Sequence, residues 1–494
     1  MRNQLLGTIA AVAAGAGMAW GQAPANPIAP PMPIAPGGIY PVQGMDIPSP
    51  MGMGGPGMGG PGMGGPSMGG PGMGGPGMGG PGMGGPGMGD PNGVFPGGMP
   101  PGVHGQQQWQ PPFNGAEPQG VNGRLAPRAW FTTDYMLAFA KAQPTSFPFV
   151  VSSAPAAGGI LGATSTNVLH SNSDLGYNLI SGVRFDGGFF RDDARRFGYY
   201  ASGFFTEQKA NVFNVASDAT GQGLLARPFI NANTNGPDVL LVSFPTFAAG
   251  STTIYSSTRA WGAEGGPIIN LYRSCPEEIC LWNINLLTGF RFLQVREVLR
   301  MEQDTTLVGN STAAFDGKLY GNGSQISVSD SFDATNRFYG GQLGLNVEMR
   351  LNRWYLNTTG KIALGVMNER VDVTGISSLQ NQALGLSSRV SGGLFANSSN
   401  IGKHNQDQFA AIPEVDVKLG YTWRSWLTTA VGYNFLYVSR LARPGDQYSP
   451  VVNPGVIPTS PTYGLGAPIV TPNPLGTQSS YYLQGVNFSI TMRY

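Results

Sequence analysis

The plainest pattern in this chain lies at its end, where large apolar residues alternate with small or polar ones. Tyr482, Val486, Phe488, Ile490, Met492 and Tyr494 fall on one parity, and Gly485, Asn487, Ser489, Thr491 and Arg493 on the other. A period of two is the spacing of a strand whose two faces meet different surroundings. Reading backwards, the same period recurs over 426–438, 413–423, 353–367, 337–351, 280–293, about 256–272, 197–208, 175–186 and 130–140. With 481–494 these are ten predicted strands, each at or above the roughly 9–11 residues that a tilted strand needs to cross a bilayer. The connections alternate in length. Short ones fall at 187–196, 273–279, 352 and 424–425, and long ones at 141–174, 209–255, 294–336, 368–412 and 439–480. Short turns at one end, long loops at the other and an even strand count predict an all-β fold, a transmembrane antiparallel β-barrel. Ten strands are expected, or twelve if part of a long loop forms an extra hairpin. An even count also puts both ends of the barrel on the short-turn side.

The two parities differ in chemistry. Phe131, Tyr135, Leu137, Phe139, Trp282, Ile284, Leu286, Phe290, Leu343, Leu345, Val347, Trp354, Leu356, Ile362, Leu364, Val415, Val417, Leu419 and Tyr421 are expected to face lipid. Of Trp130, Trp261, Trp354, Trp423 and Trp426, those at strand ends suit an interfacial girdle. The opposite parity carries Asp134, Glu264, Glu348, Glu414 and Asp416 with Arg184, Arg291, Arg350, Lys361, Lys418 and Arg493. These are expected to line the lumen. A barrel of about eight strands is just filled by side chains, whereas 16–18 leave a channel. Ten strands crossed by paired charges therefore predict a narrow or plugged lumen, and the mixed signs argue against a selectivity ring of one charge. With Phe488, Ile490 and the terminal aromatic Tyr494, the last strand resembles the C-terminal strand of bacterial outer-membrane proteins, which implies that the barrel-assembly machinery reads it.

Composition adds a second region. The 494 residues include 76 Gly and 41 Pro, and charged residues are only 11% with a net charge of +1. So neutral a chain is not expected to bind nucleic acid, whose recognition rests on clustered basic charge. Met1-Arg2 followed by an uncharged run to Trp20-Gly21 reads as a secretory signal peptide, residues 1–21. Residues 22–128 read as a disordered linker on the periplasmic side. Within it, 51–90 repeat Gly-Gly-Pro-Gly-Met with a period of five, which fits neither helix, strand nor triple helix. As a flexible coil the whole 22–128 stretch spans roughly 55 Å. Its evenly spaced thioethers are a candidate Cu(I) site, though a simple spacer is the preferred reading and no cofactor or metal is expected. The barrel is read as 129–494.

Chemistry-bearing residues are few. Cys275 and Cys280 are the two cysteines, and export makes a disulfide between them the expected state. The histidines are His104, His170 and His404; the pairs His170 with Asp174 and His404 with Asp407 are the nearest thing to an acid–base site. No GxSxG elbow, phosphate loop or metal-ligand cluster accompanies them. A non-enzymatic, porin-like or structural protein is the expected function. Its partners would be outer-membrane lipid and the assembly machinery, with small solutes or surface ligands unidentified. A surface-binding, adhesive or metal-binding module is the alternative, and a barrel-borne hydrolase ranks behind it.

Several stretches carry a resemblance to a known family. They are Ala226-Arg227-Pro228-Phe229, Ser327 to Asp333, Asn336 to Gly344, Arg353-Trp354, Gly360 to Gly365, and Ser399 to Gly402 before Phe409 and Pro413-Glu414. Val431 to Tyr437, Arg443-Pro444-Gly445-Asp446, and Gln484 to Phe488 before Arg493-Tyr494 complete the set. Over about 129–494 the chain resembles planctomycete outer-membrane β-barrel proteins of the BBP type of β-barrel porin. That resemblance implies an outer-membrane barrel and supplies no substrate or catalytic residue.

Overall fold

The computed structural model describes residues 128–145, 147–171, 175–274, 280–465 and 475–494. The leader, the Met repeat and most of the linker expected before the barrel lie outside the described residues, as do Cys275 and with it the expected disulfide.

Ten antiparallel strands form one closed ring. They are β1 (Ala129–Ala140), β2 (Ile180–Phe190), β3 (Phe197–Thr206), β4 (Ala248–Arg273), β5 (Cys280–Leu307), β6 (Gln325–Leu351), β7 (Trp354–Asn381), β8 (Gly402–Arg424), β9 (Leu427–Leu441) and β10 (Ser479–Arg493). Each pairs with its chain neighbours, and β10 closes the ring on β1 with Trp130 opposite Arg493 and Tyr135 opposite Phe488. The twelve-strand alternative is not what forms. Two further strands, Lys209–Ala216 on β4 and Leu386–Ser391 on β7, join the same sheet but lie outside the ring.

The sequence reading undercounts strand length. Strands β4 to β8 run well past the predicted ends, so much of 209–255, 294–336 and 368–412 is strand where long loops were expected. Alternation persists there, but its polarity inverts. On β7 the outward positions Trp354, Leu356, Ile362, Leu364 and Val366 give way to Asn368, Arg370, Asp372 and Thr374. At about 3.3 Å per residue and the usual tilt, the apolar run covers roughly 30 Å, the depth of a bilayer core. A second correction concerns 175–179, which precedes the strand that starts at Ile180; there Leu175 and Tyr177 turn inward and are buried.

Aromatic rings mark both edges of the apolar belt. At the turn end Trp354 (56% exposed) lies 5.2 Å from Tyr421, which lies 4.9 Å from Trp423 (55% exposed). At the loop end Trp261 lies 4.7 Å from Phe292, and Phe292 5.2 Å from Tyr339. Trp130 does not join the girdle. It occupies the inner parity of β1, 5.7 Å from Phe190, and Gly188 opposite it has no room for a Cβ, which would meet the indole at 2.4 Å.

Above the belt the barrel continues as a polar-walled cylinder closed by loop segments. Strands Val150–Ser153, Thr166–His170, Leu224–Asn231, Gly236–Ser243 and Val451–Val452 form a separate small sheet there. Phe149, Phe229, Leu394, Phe395, Tyr448 and Ile457 from the loops pack on Leu299, Met301, Phe332, Val371 and Val373 of the wall.

Candidate functional site

The candidate site is the lumen, and it is occupied along its length. The eleven charges read from the sequence divide into two groups. Near the turn end, Glu348 accepts from Arg350 Nε at 2.5 Å and from Arg493 Nη2 at 3.1 Å. Beside them runs an amide ladder across four strands: Asn270 donates to Asn283 at 2.6 Å and Asn285 at 2.9 Å, Asn285 to Asn346 at 3.2 Å, and Asn346 to Asn357 at 3.1 Å.

The other eight charges form one network halfway up the belt. Arg291 bridges Glu264 and Glu414, and Lys361 reaches the same two carboxylates, Glu414 at 3.5 Å. Arg184 lies 2.8 Å from Glu414 and 4.0 Å from Asp416. Lys418 donates to Asp134 at 2.6 Å and lies 3.8 Å from Asp416. Asn434 and Asn487 donate to Glu414 and Asp416, each at 3.0 Å. Desolvating ions costs several kcal/mol each, so such a network stands only because every charge finds opposite charges and donors. The space left between Arg184, Glu264, Arg291, Lys361 and Glu414 amounts to about 10 Å³ for a water's centre, room for about one molecule.

An apolar layer lies above the network. Ala138, Ile180, Leu293, Val295, Phe338, Met367, Ile412, Leu436 and Leu483 are buried against one another across the interior. These residues occupy the same inward parity as the charges below them.

Two buried ion pairs, which the sequence reading did not single out, then fasten the loops. Arg443 donates to both oxygens of Glu297 at 2.7 Å, and its remaining donors reach the carbonyls of Ala142 at 2.7 Å and Lys141 at 2.9 Å. Arg227 donates to Asp330 at 2.6 Å, both side chains 0% exposed. The second oxygen of Asp330 accepts from the backbone N–H groups of Phe395 and Ala396, each at 2.8 Å. The chain must pass close by to do so; a Cβ on Gly393 would lie 2.2 Å from that same oxygen. Asn336 and the backbone of Ala442 exchange two hydrogen bonds at 2.8 and 3.0 Å. Tyr448 sits amid Phe149, Phe395 and Phe332, and its hydroxyl donates to the Phe147 carbonyl at 2.9 Å. Burial pushes the Tyr448 hydroxyl and the Glu369 and Asp446 carboxyls above their ordinary pKa values. A signal for these contacts was present in the sequence: Arg227, Asp330, Asn336 and Arg443 all belong to the stretches that carry the family resemblance.

The histidine pairs do not assemble a site. His404 and Asp407 take opposite faces of β8, His404 on Asn400 O at 2.9 Å and Asp407 accepting from Asn368 at 2.7 Å. His170 stacks on Phe213 with centroids 4.5 Å apart, and Asp174 lies outside the described residues. Among the described residues no group of three His, Cys, Asp or Glu side chains could hold a metal ion.

A closed ten-strand antiparallel ring with an apolar belt between two aromatic girdles defines an outer-membrane, porin-like β-barrel protein. Residues 130–494 match the family described as Putative beta barrel porin-7 (BBP7), and the chain belongs to that family. No curated protein matches the chain. Among solved structures, the outer membrane protease OmpT from Escherichia coli is 9% identical, with 74% of this chain and 97% of that one covered and a TM-score of 0.32. A FadL homologue from Pseudomonas aeruginosa is also 9% identical, covers 74% and 90%, and has a TM-score of 0.19. The P. putida toluene transporter TodX is 7% identical, covers 74% and 90%, and has a TM-score of 0.16.

Proposed function

We propose that this protein is a sealed outer-membrane barrel with a structural, anchoring role, and that it neither conducts solutes nor catalyses a reaction. The observation that carries this reading is the fourfold filling of the interior: amide ladder, ion network, apolar layer and loop plug. A conducting pore needs a continuous hydrated path along its length, and here the mid-belt charges pair with one another beneath an apolar layer. The turn end faces the periplasm and the loop end the outside. Residues 1–21 direct export and are removed. Residues 22–128 then hang from β1 into the periplasm as a flexible tether, and the strand that ends at Tyr494 guides assembly into the membrane.

Liposome swelling with small sugars tests the reading. Vesicles carrying the full-length mature protein should swell no faster than protein-free vesicles. Rapid, size-dependent swelling would overturn it.

A further inference from the structure

Where the apolar belt ends at the loop end, the outer wall carries an excess of guanidinium groups. Arg259 and Arg296 face each other directly across β4 and β5. In the same row Thr335 of β6 stands between Arg296 and Arg370 of β7, and Arg337 sits one row lower opposite Gln294. All four arginines lie on the outward parity and are exposed. Lys403 on β8 pairs in register with Asp372 of β7.

The acids nearby do not balance this wall. Asp333 accepts from Arg296 at 3.1 Å, and Asp372 lies 3.8 Å from Arg370 and 4.0 Å from Lys403. Glu207, beyond β3, is held by the Ser181 N–H at 2.8 Å and lies 3.8 Å from Lys209. Asp407 is taken by Asn368. Arg337 donates only to the Gln294 amide oxygen, at 3.1 Å, and among the described residues no carboxylate is in ion-pair contact with Arg337 or Arg259. Like charges placed directly opposite on neighbouring strands destabilise the pair unless an anion lies between them.

We propose that Arg259, Arg296, Arg337 and Arg370 form a docking surface for the phosphate-bearing headgroups of anionic lipids in the outer leaflet. Charge complementarity and position name this occupant. Girdle aromatics settle at headgroup level, and on their own strands Arg259 and Arg337 stand one row above Trp261 and Tyr339, and Arg296 two rows above Phe292. The planar guanidinium fork binds phosphate through two parallel hydrogen bonds, which an isolated ammonium cannot do. Acyl chains would then run down the belt over Phe292, Tyr339 and Leu343. This inference rests on the loop end facing outward, and it concerns the wall rather than the lumen.

The test is native mass spectrometry of the full-length mature protein released from micelles doped with equal phosphatidylglycerol and phosphatidylcholine. The wild type should retain phosphatidylglycerol preferentially. Arg259→Gln alone should cut that preference about fivefold, the ~1 kcal/mol expected for one basic residue at a membrane surface. The triple variant Arg259→Gln/Arg296→Gln/Arg337→Gln should abolish it. These residues are exposed and outside the belt, so heat-modifiable gel migration should remain that of a folded barrel. Lys318→Gln with Arg389→Gln, which removes exposed charge from the short strands Lys318–Tyr320 and Leu386–Ser391 away from this row, should leave the preference intact. Equal lipid retention by wild type and triple variant would overturn the proposal. So would equal loss in the loop control, or displacement of the lipid by excess inorganic phosphate, which would identify a free-anion site instead.

Discussion

The lower and upper halves of β4 to β8 are built from the same strands in the same register, yet they are inside out relative to each other. On β6 the lower half turns Tyr339, Leu343 and Leu345 outward and Gln342, Asn346 and Glu348 inward. The upper half turns Arg337, Asp333 and Ser331 outward and Phe338, Ala334, Phe332 and Val328 inward. Parity never changes; only the solvent does. The lower half is immersed in lipid and keeps its polar groups inside, where they satisfy one another. The upper half stands in water and follows the ordinary rule for soluble proteins. The switch falls in the row of Phe292, Tyr339, Val366 and Phe409, with Trp261 one row higher, so the height of the membrane is written on the wall.

Substitutions in the two halves should therefore fail differently, and the largest effect is expected at the plug. Asp330→Ala would leave Arg227 charged, buried and unpartnered, a loss of about 3–5 kcal/mol. It should expose the 217–247 loop to limited proteolysis while the belt remains folded. Replacing both partners while keeping an acceptor for the Phe395 and Ala396 amides, Arg227→Met with Asp330→Asn, should restore most of the resistance. If the double variant is cleaved as fast as Asp330→Ala, the ion pair is not what holds the plug.

Next in size is an outward arginine placed at the two heights. Phe488→Arg puts the charge into the belt and should cost about 2–4 kcal/mol of barrel stability. Thr374→Arg makes the same change on the outward face of the upper cylinder and should lie within about 0.5 kcal/mol of the wild type. Urea unfolding in vesicles compares them, and equal losses would erase the boundary between halves.

Gly393→Ala sharpens the plug's geometry at somewhat smaller cost. The added Cβ would press on the Asp330 carboxylate, so the Phe395 and Ala396 amides should lose hydrogen-exchange protection while Phe332, on the wall, keeps it. Unchanged protection at 395 and 396 would mean that the loop approaches Asp330 differently.

The smallest effect is one of pH. Glu369 accepts from Gln406 and Gln478 at 2.7 and 3.1 Å, and burial raises its pKa above that of an unfolded glutamate. A carboxyl whose native pKa is raised binds its proton more tightly when folded. Its contribution to stability is complete below the unfolded pKa, near 4.3, and is lost as pH rises through the higher native value. Burial raises Asp446 as well, and the same sign applies. Thermal melting of the loop end should thus fall gently between mildly acidic and neutral pH. Glu369→Gln should flatten that slope, and a slope left unchanged would remove Glu369 from the account.

The sequence made the membrane-level barrel legible because lipid forces a strict alternation of large apolar with small or polar residues. The ring order, the outward Phe131, Leu343 and Val486, and the inward parity of Arg291 and Glu414 all follow from counting by two. The upper cylinder was missed for a physical reason. On β5, Arg296, Arg300 and Glu302 alternate with Val295, Leu299 and Met301, which is still a strand, but polar-out alternation resembles a solvated loop when lipid is the assumed surroundings. The loop plug was beyond period counting altogether. Arg227 meets Asp330, and Arg443 meets Glu297, across more than a hundred residues each. Trp130 misled for a simpler cause: its position near a strand end suggested the girdle, while its even parity already placed it with Asp134.

The central claim is that the lumen is sealed at membrane level independently of the plug. Planar-bilayer recording of the full-length mature protein beside the Arg227→Ala/Asp330→Ala variant tests this most directly. Both should show no steady channel, because the network around Arg291 and Glu414 and the apolar layer above it remain when the plug loosens. A large, stable conductance in the wild type would contradict the account, and one that appears only in the variant would show that the plug alone closes the barrel.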